Sequence, residues 1–224
     1  MITKQIFLYS LFTLITLNAN TIDIKGGIYK IPPFKSFYVD KKEQIVQIKD
    51  FKIDKYEVSN KLFGKKGINE DEQNYPVVKI KYQDAIKYCK QKGGDLPTKE
   101  QWLVASSFEN NQFYQYSTKN YPLKNENDIN IVQDRAVELE IDGFGAEFDL
   151  VEVQDALVGN NNIVAMLGNV WELTKSNTQY VYLKGGSFFN NEKKELLNNY
   201  IENRVLKSDL DQYEHIGFRC VYKK

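Results

Sequence analysis

Few residues in this chain can carry chemistry, and their types already narrow what it can do. Cys89 and Cys220 are its only thiols, and His215 is its only imidazole. A metal centre that takes its ligands from two or three histidines cannot be built from this chain alone. The cysteines have two uses open to them: one disulfide, or two unrelated buried thiols. Carboxylates are the other concentrated resource. Asp134, Glu138, Glu140, Asp142, Glu147, Asp149, Glu152 and Asp155 stand against Arg135 alone. Such a run can hold calcium or form a solvated acidic face. Without the spacing of a known calcium loop, the solvated face is the better reading.

The compartment decides between the two uses of the cysteines. Lys4 and the apolar stretch from Ile6 to Leu17 read as the n- and h-regions of an export signal over residues 1–19. The stretch is shorter than the about 20 residues that span a bilayer. Ala19 suits a cleavage site, whereas Leu17 is bulky for one, so an uncleaved N-terminal anchor stays open. A buried first helix is the plainer alternative. No other stretch approaches transmembrane length. The expected location is periplasmic or exported, with the chain soluble after export or anchored at its N-terminus. In an oxidising compartment an isolated cysteine pair forms a disulfide.

The 224 residues suit one domain, and 42% hydrophobic with 27% charged residues rules out a wholly disordered chain. Lys+Arg and Asp+Glu both number 30. A zero balance argues against a generic nucleic-acid binder, which needs excess positive charge to release counterions.

Several elements must position these residues. Ile28 to Ile31 alternates as a strand that Pro32-Pro33 stops, and Val46 to Val58 is extended, with Ser59 or Asn60 capping a short helix. Pro76 to Ile80 reads as a strand. Tyr82 to Gln91 reads as a helix with Ala85, Tyr88 and Cys89 on one face, ended by Gly93-Gly94. Thr98 and Gln101 have the spacing of a capping box for a second helix, whose buried face begins with Trp102, Leu103 and Ala105. Periodicity is lost from Asn110 to Asn162. It returns in Met166–Thr174, with its one buried-looking carboxylate Glu172, in a Val181–Phe188 strand with a glycine break, and in a terminal Ile216–Val221 strand.

These segments together resemble the formylglycine-generating-enzyme, or sulfatase-modifying-factor, family. The pieces that carry the resemblance occur in family order: Gly26-Gly27 with Tyr29, Ile53 to Asn60, Tyr75 to Val78, Asp84-Ala85 with Tyr88-Cys89, Gly93 to Trp102, Met166 to Thr174, Lys184 to Phe188, and Ile216 to Cys220. The resemblance implies an α+β, C-type-lectin-like fold: a single compact domain over residues 22–224 with little regular secondary structure. It also implies that Cys89 and Cys220 bond to each other, in agreement with the export argument.

The family's founding activity oxidises a substrate cysteine with copper held by two thiolates, a soft-ligand site suited to Cu(I). By position those thiolates would be Asn190 and Glu195 here, so copper and formylglycine formation are not expected. The branch with three histidines on iron is excluded by the single His215. Another branch tailors siderophore precursors in the periplasm without the cysteine pair, and others serve in cell-envelope complexes.

Calcium in this family sits on backbone carbonyls and a glutamate, which by match are Gly168, Val170 and Glu172. A further Asp or Asn ligand is replaced by Ala165, so any calcium site is weak. Otherwise Glu172 is satisfied by backbone N–H groups or by Arg219. Ser187, Asn190, Asn191 and Glu195 mark a degenerate cleft at the family's active-site position. Trp102 and Trp171 read as core, His215 as a surface or capping residue, and Arg204 and Arg219 as buried ion-pair partners. The leading expectation is a non-catalytic binding or scaffold protein with a cell-envelope protein partner. A copper-independent tailoring oxidoreductase and a lectin-like glycan- or peptide-binding module are the alternatives.

Overall fold

The computed structural model describes residues 20–35, 40–117, 150–188, 200 and 202–224. The expected signal at 1–19 and cleft residues Asn190, Asn191 and Glu195 lie outside them, as does the acidic run up to Asp149. Among the described residues no helix is long and apolar enough to cross a membrane.

The first segment forms β1 (Thr21–Ile24), β2 (Gly27–Ile31), β3 (Phe34–Lys35), β4 (Asp40–Lys41), β5 (Gln44–Ile48) and β6 (Phe51–Asp54). β2 pairs with β5, placing Tyr29 and Ile31 inward and Ile28 outward. A one-turn helix α1 (Asn60–Phe63) follows, and Ser59 is its cap, accepting from the Leu62 N–H. Helix α2 (Tyr82–Gln91) has the expected bounds, and Ala85 and Cys89 are buried on it. After it, Gly93 has a φ of +81°, which glycine adopts without strain. Gly94 lies in β7 (Gly94–Asp95), where an added Cβ would meet the Val221 carbonyl at 2.4 Å. Only glycine lets the neighbouring strand come so close.

Helix α3 (Lys99–Ser107) opens with the expected capping box. Thr98 Oγ1 accepts from Gln101 N at 3.1 Å, and Gln101 Oε1 accepts from Thr98 N at 3.0 Å. A hairpin of β8 (Phe108–Glu109) and β9 (Gln112–Phe113) follows. Later in the chain come β10 (Trp171–Leu173), β11 (Tyr180–Lys184), β12 (Glu202–Leu206), β13 (Ile216–Gly217) and β14 (Val221–Lys223).

Two four-stranded sheets organise the molecule, in the orders β1-β6-β14-β7 and β12-β11-β10-β13. The Ile216–Val221 segment, expected as one strand, serves both. Ile216-Gly217 runs parallel to β10 at one sheet's edge, and Val221 opens β14 inside the other. Phe218-Arg219-Cys220 turns the corner between them, because a straight strand could not join two sheets. The Pro76–Ile80 strand is likewise not formed. Pro76 makes an isolated bridge to Ser59, and Lys79 has a φ of +53°, which no regular strand contains.

Two apolar clusters fill the interior. One surrounds the Cys89–Cys220 disulfide with Leu173, Leu183, Ile216 and Phe218. The other packs Ile31, Ile53, Ala105, Ile163 and Met166 around Trp102. The fold is a single α+β domain of short elements, as expected.

Candidate functional site

The corner residue Arg219 is fully buried and has five donors to satisfy. Its Nε and Nη2 bind Glu172 Oε2 and Oε1 at 2.7 and 2.6 Å, a two-point fork. Its remaining N–H groups reach the carbonyls of Asp54 and Lys55 at 3.2 Å each and of Val164 at 2.8 Å. Trp102 Nε1 adds a third donor to Glu172 Oε2, at 2.8 Å. Burial alone would lower the guanidinium's pKa, and the Glu172 charge and hydrogen bonds more than reverse this. The two expected core tryptophans are indeed buried, and Trp102 also anchors this pair.

Two more acids, Glu57 and Asp54, act on that ion pair. Glu57 is fully buried; burial and the Glu172 charge hold its pKa well above the usual carboxylate range. Its Oε2 accepts from Asn169 Nδ2 at 2.5 Å, while its Oε1 has no hydrogen-bond partner. Burial pushes Asp54 up to about 6, against the opposing N–H of Cys220 and hydroxyl of Tyr222, each at 3.0 Å. The sign follows from proton linkage. The raised folded pKa of Asp54 contributes stability that is complete below its unfolded pKa of about 4, and that is lost as the pH climbs to about 6. Wild type and Asp54→Asn are therefore expected to diverge across that window. The wild-type urea midpoint falls relative to the variant's as pH rises, and a constant gap would show that Asp54 ionises as freely in the folded chain as in the unfolded one.

The oxygens expected to hold calcium meet this arrangement. Both Glu172 oxygens already accept hydrogen bonds, from a guanidinium and an indole. A divalent ion on them would stand beside a buried positive charge, and Ala165 offers no side-chain oxygen. The described residues therefore do not fit a resident calcium at Gly168, Val170 and Glu172. The carboxylate meets the second expectation made for it, satisfaction by Arg219.

Lys184 makes a second centre that the sequence analysis did not single out. It ends β11, between β10 and β12, and pairs in register with Glu172 and Glu202. The neighbouring Gly185 has a φ of +93°, and a Cβ there would press on the Met166 carbonyl and the Trp102 ring, both at 3.2 Å. The tight glycine turn therefore sets the end of β11 against Trp102. Lys184 is only 3% exposed, and its Nζ lies 5.5 Å from the Trp102 ring centre. Burial pulls its pKa down to about 7. It lines a pocket of about 90 Å³ with Lys41, Lys99, Glu100, Tyr200 and Glu202. Glu202 is held by Lys41 at 2.5 Å, and its pKa is lowered by Lys41 and Lys184 despite burial.

The remaining expected residues divide. Cys89 and Cys220 are bonded, with Cα atoms 5.5 Å apart, and the chain has no free cysteine. Ser187 is fully buried, so it is not on an open cleft surface. His215 is half-buried against Tyr213, and its carbonyl accepts the Trp171 N–H. Arg204, expected as a buried ion-pair partner, is instead exposed and stacks 4.6 Å above the Tyr180 ring. Along β12 its side chain falls on the solvent side, and Arg219 alone holds the buried position.

The fold and its buried node define a mixed α+β domain of the formylglycine-generating-enzyme type. Residues 64–224 match the model of the sulfatase-modifying factor enzyme 1-like domain, and the chain belongs to that family. The crystal structure of CarF is 16% identical, covers 92% of this chain and 98% of its own, and superposes with a TM-score of 0.64. Treponema denticola variable protein 1 is 13% identical over 91% of this chain and 95% of its own, with a TM-score of 0.69. PvdO from Pseudomonas aeruginosa is 13% identical over 91% and 94%, with a TM-score of 0.60. At these identities the likeness is one of fold. No curated protein matches the sequence.

Proposed function

We propose that this chain is an exported binding or assembly module of the cell envelope, built on a formylglycine-generating-enzyme domain without copper-dependent oxidase chemistry. One observation carries the second half of that reading. Both cysteines of the chain are tied to each other in the core. A Cu(I) site of the family's kind needs thiolates, and none is left to supply them. Binding is supported by two open grooves. One, of about 740 Å³, runs past Lys49, Lys90, Asp95, Lys175 and Lys223, and the other, of about 520 Å³, past Tyr56, Tyr88, Lys92 and Tyr222. Tyrosines and lysines around a groove suit an amphipathic, anionic segment of a partner protein.

The test has two parts. Purified protein loaded with Cu(I) and given oxygen and a cysteine peptide is expected to form no formylglycine above the copper-only background; turnover above it would overturn the exclusion of oxidase chemistry. Crosslinking in the native cell, with lysine-reactive reagent, is expected to join Lys90, Lys175 or Lys223 to one stoichiometric envelope protein. Crosslinks scattered over many proteins would remove the assembly role.

A further inference from the structure

We propose that Lys184 is a covalent capture site, its Nζ forming an imine with a small α-oxo carboxylate seated in the pocket between Lys99, Glu100 and Glu202. This goes beyond the binding-module reading and does not depend on it, since the pocket is separate from both grooves.

The placement of the amine is the first reason. A lysine on a protein surface keeps its ammonium in water by extending along the apolar surface beneath it. A buried lysine is ordinarily paired with a carboxylate. Lys184 does neither. It is 3% exposed, its Nζ lies 5.5 Å from the centre of the Trp102 ring, and Glu202 and Glu100 act on it only through their charge. The nearby carboxylate Glu202 is already engaged by Lys41. An amine that is buried, lines a pocket and has no hydrogen-bond acceptor among the described residues lacks the partner its surroundings ask for. Burial, which favours the neutral amine, prepares it as a nucleophile.

The pocket supplies the rest. Its charged groups are Lys41, Lys99, Lys184, Glu100 and Glu202. With Lys184 neutral and Lys41 paired to Glu202, the unpaired charges are Lys99 and Glu100. The Lys99 Nζ sits 3.9 Å from the Tyr182 ring centre, and its charge acts on both Lys184 and Glu202. It can receive the carboxylate of a ligand whose carbonyl carbon faces Lys184. A volume of about 90 Å³ suits a molecule of a few heavy atoms.

The chemistry balances without a cofactor. The neutral amine adds to the carbonyl carbon, giving a carbinolamine. A C=N bond then replaces the C=O bond, and the oxygen leaves as water with both amine hydrogens. No electrons are transferred. The pocket opens to solvent, which accepts the water.

The test uses the full-length protein with glyoxylate or pyruvate and cyanoborohydride near neutral pH, followed by peptide mapping. Reduction fixes the imine as a secondary amine on whichever lysine formed it. Lys184 is expected to be modified faster than the other lysines by on the order of 10-fold or more. Lys184→Arg should lose that fast modification, and mapping of the wild-type protein gives the answer even if the variant misfolds. Lys99→Gln should slow the reaction with glyoxylate more than that with acetaldehyde, which has no carboxylate for Lys99 to receive. Modification spread over exposed lysines with Lys184 untouched would overturn the capture site. Equal rates for acetaldehyde and glyoxylate in the wild type would overturn the α-oxo carboxylate as its ligand.

Discussion

Arg219→Met is expected to destabilise the domain by about 3–5 kcal/mol, because it leaves the Glu172 carboxylate charged and buried without its cation. Native domains have about 5–15 kcal/mol in all, so the loss is a large share of the total. For a domain of this size the melting temperature should fall by roughly 10 °C. The loss is larger than the ion pair itself. The guanidinium also satisfies the carbonyls of Asp54, Lys55 and Val164, which come from segments far apart in sequence. For that reason the double variant Glu172→Leu, Arg219→Met should recover only part of the stability. It removes the stranded charge but still costs the Asp54 and Val164 carbonyls their guanidinium donor and the Trp102 N–H its acceptor, while the Lys55 carbonyl keeps the Val164 N–H at 2.9 Å. Thermal melts of the two single variants and the double variant measure this directly. Full recovery in the double variant would mean that the carbonyl contacts contribute nothing.

Replacing both Cys89 and Cys220 by alanine should cost about 4–5 kcal/mol, the loop-closure value for a cross-link of this span. The bonded residues are 131 positions apart, and the bond ties α2 to the corner between the sheets. Both sulfurs are fully buried. Reductant alone should therefore reach them only when the chain opens, so native protein resists dithiothreitol at room temperature. With urea present, reductant should move the unfolding midpoint down to that of the double-alanine variant. Equal midpoints with and without reductant would show that the cross-link does not stabilise the fold.

Signals confined to a few neighbouring residues were legible in the sequence. The Thr98–Gln101 box, the Ser59 cap, the bounds of α2 and its glycine stop each depend on local chemistry. Ordered motifs were enough to indicate the family and the disulfide. What escaped depends on what covers a residue from elsewhere in the chain. Arg204 and Arg219 look alike in sequence, yet one lies on the open face of β12 and the other in the corner where two sheets meet. Lys184 falls at an alternation position shared with the half-buried Tyr182, which suggests a partly open face. It is buried because Trp102 from α3 closes the face that a two-residue period leaves open. Asp54 and Glu57 sat inside a recognised motif, but nothing local shows that Glu172 is their neighbour. The Pro76–Ile80 run had strand composition and no strand to pair with beyond a single bridge.

The order in which the two sheets acquire their strands constrains the birth of this protein. β14 lies inside its sheet, between β6 and β7, and β13 completes the edge beside β10. Both come from residues 216–223, synthesised after every strand they join. While the ribosome is still making the middle of the chain, β6 and β7 have a gap between them, Glu172 has no guanidinium and Cys89 has no partner. A nascent chain at that stage holds no finished core. Both sheets, the ion pair and the cross-link can close only once residues 216–223 have been made.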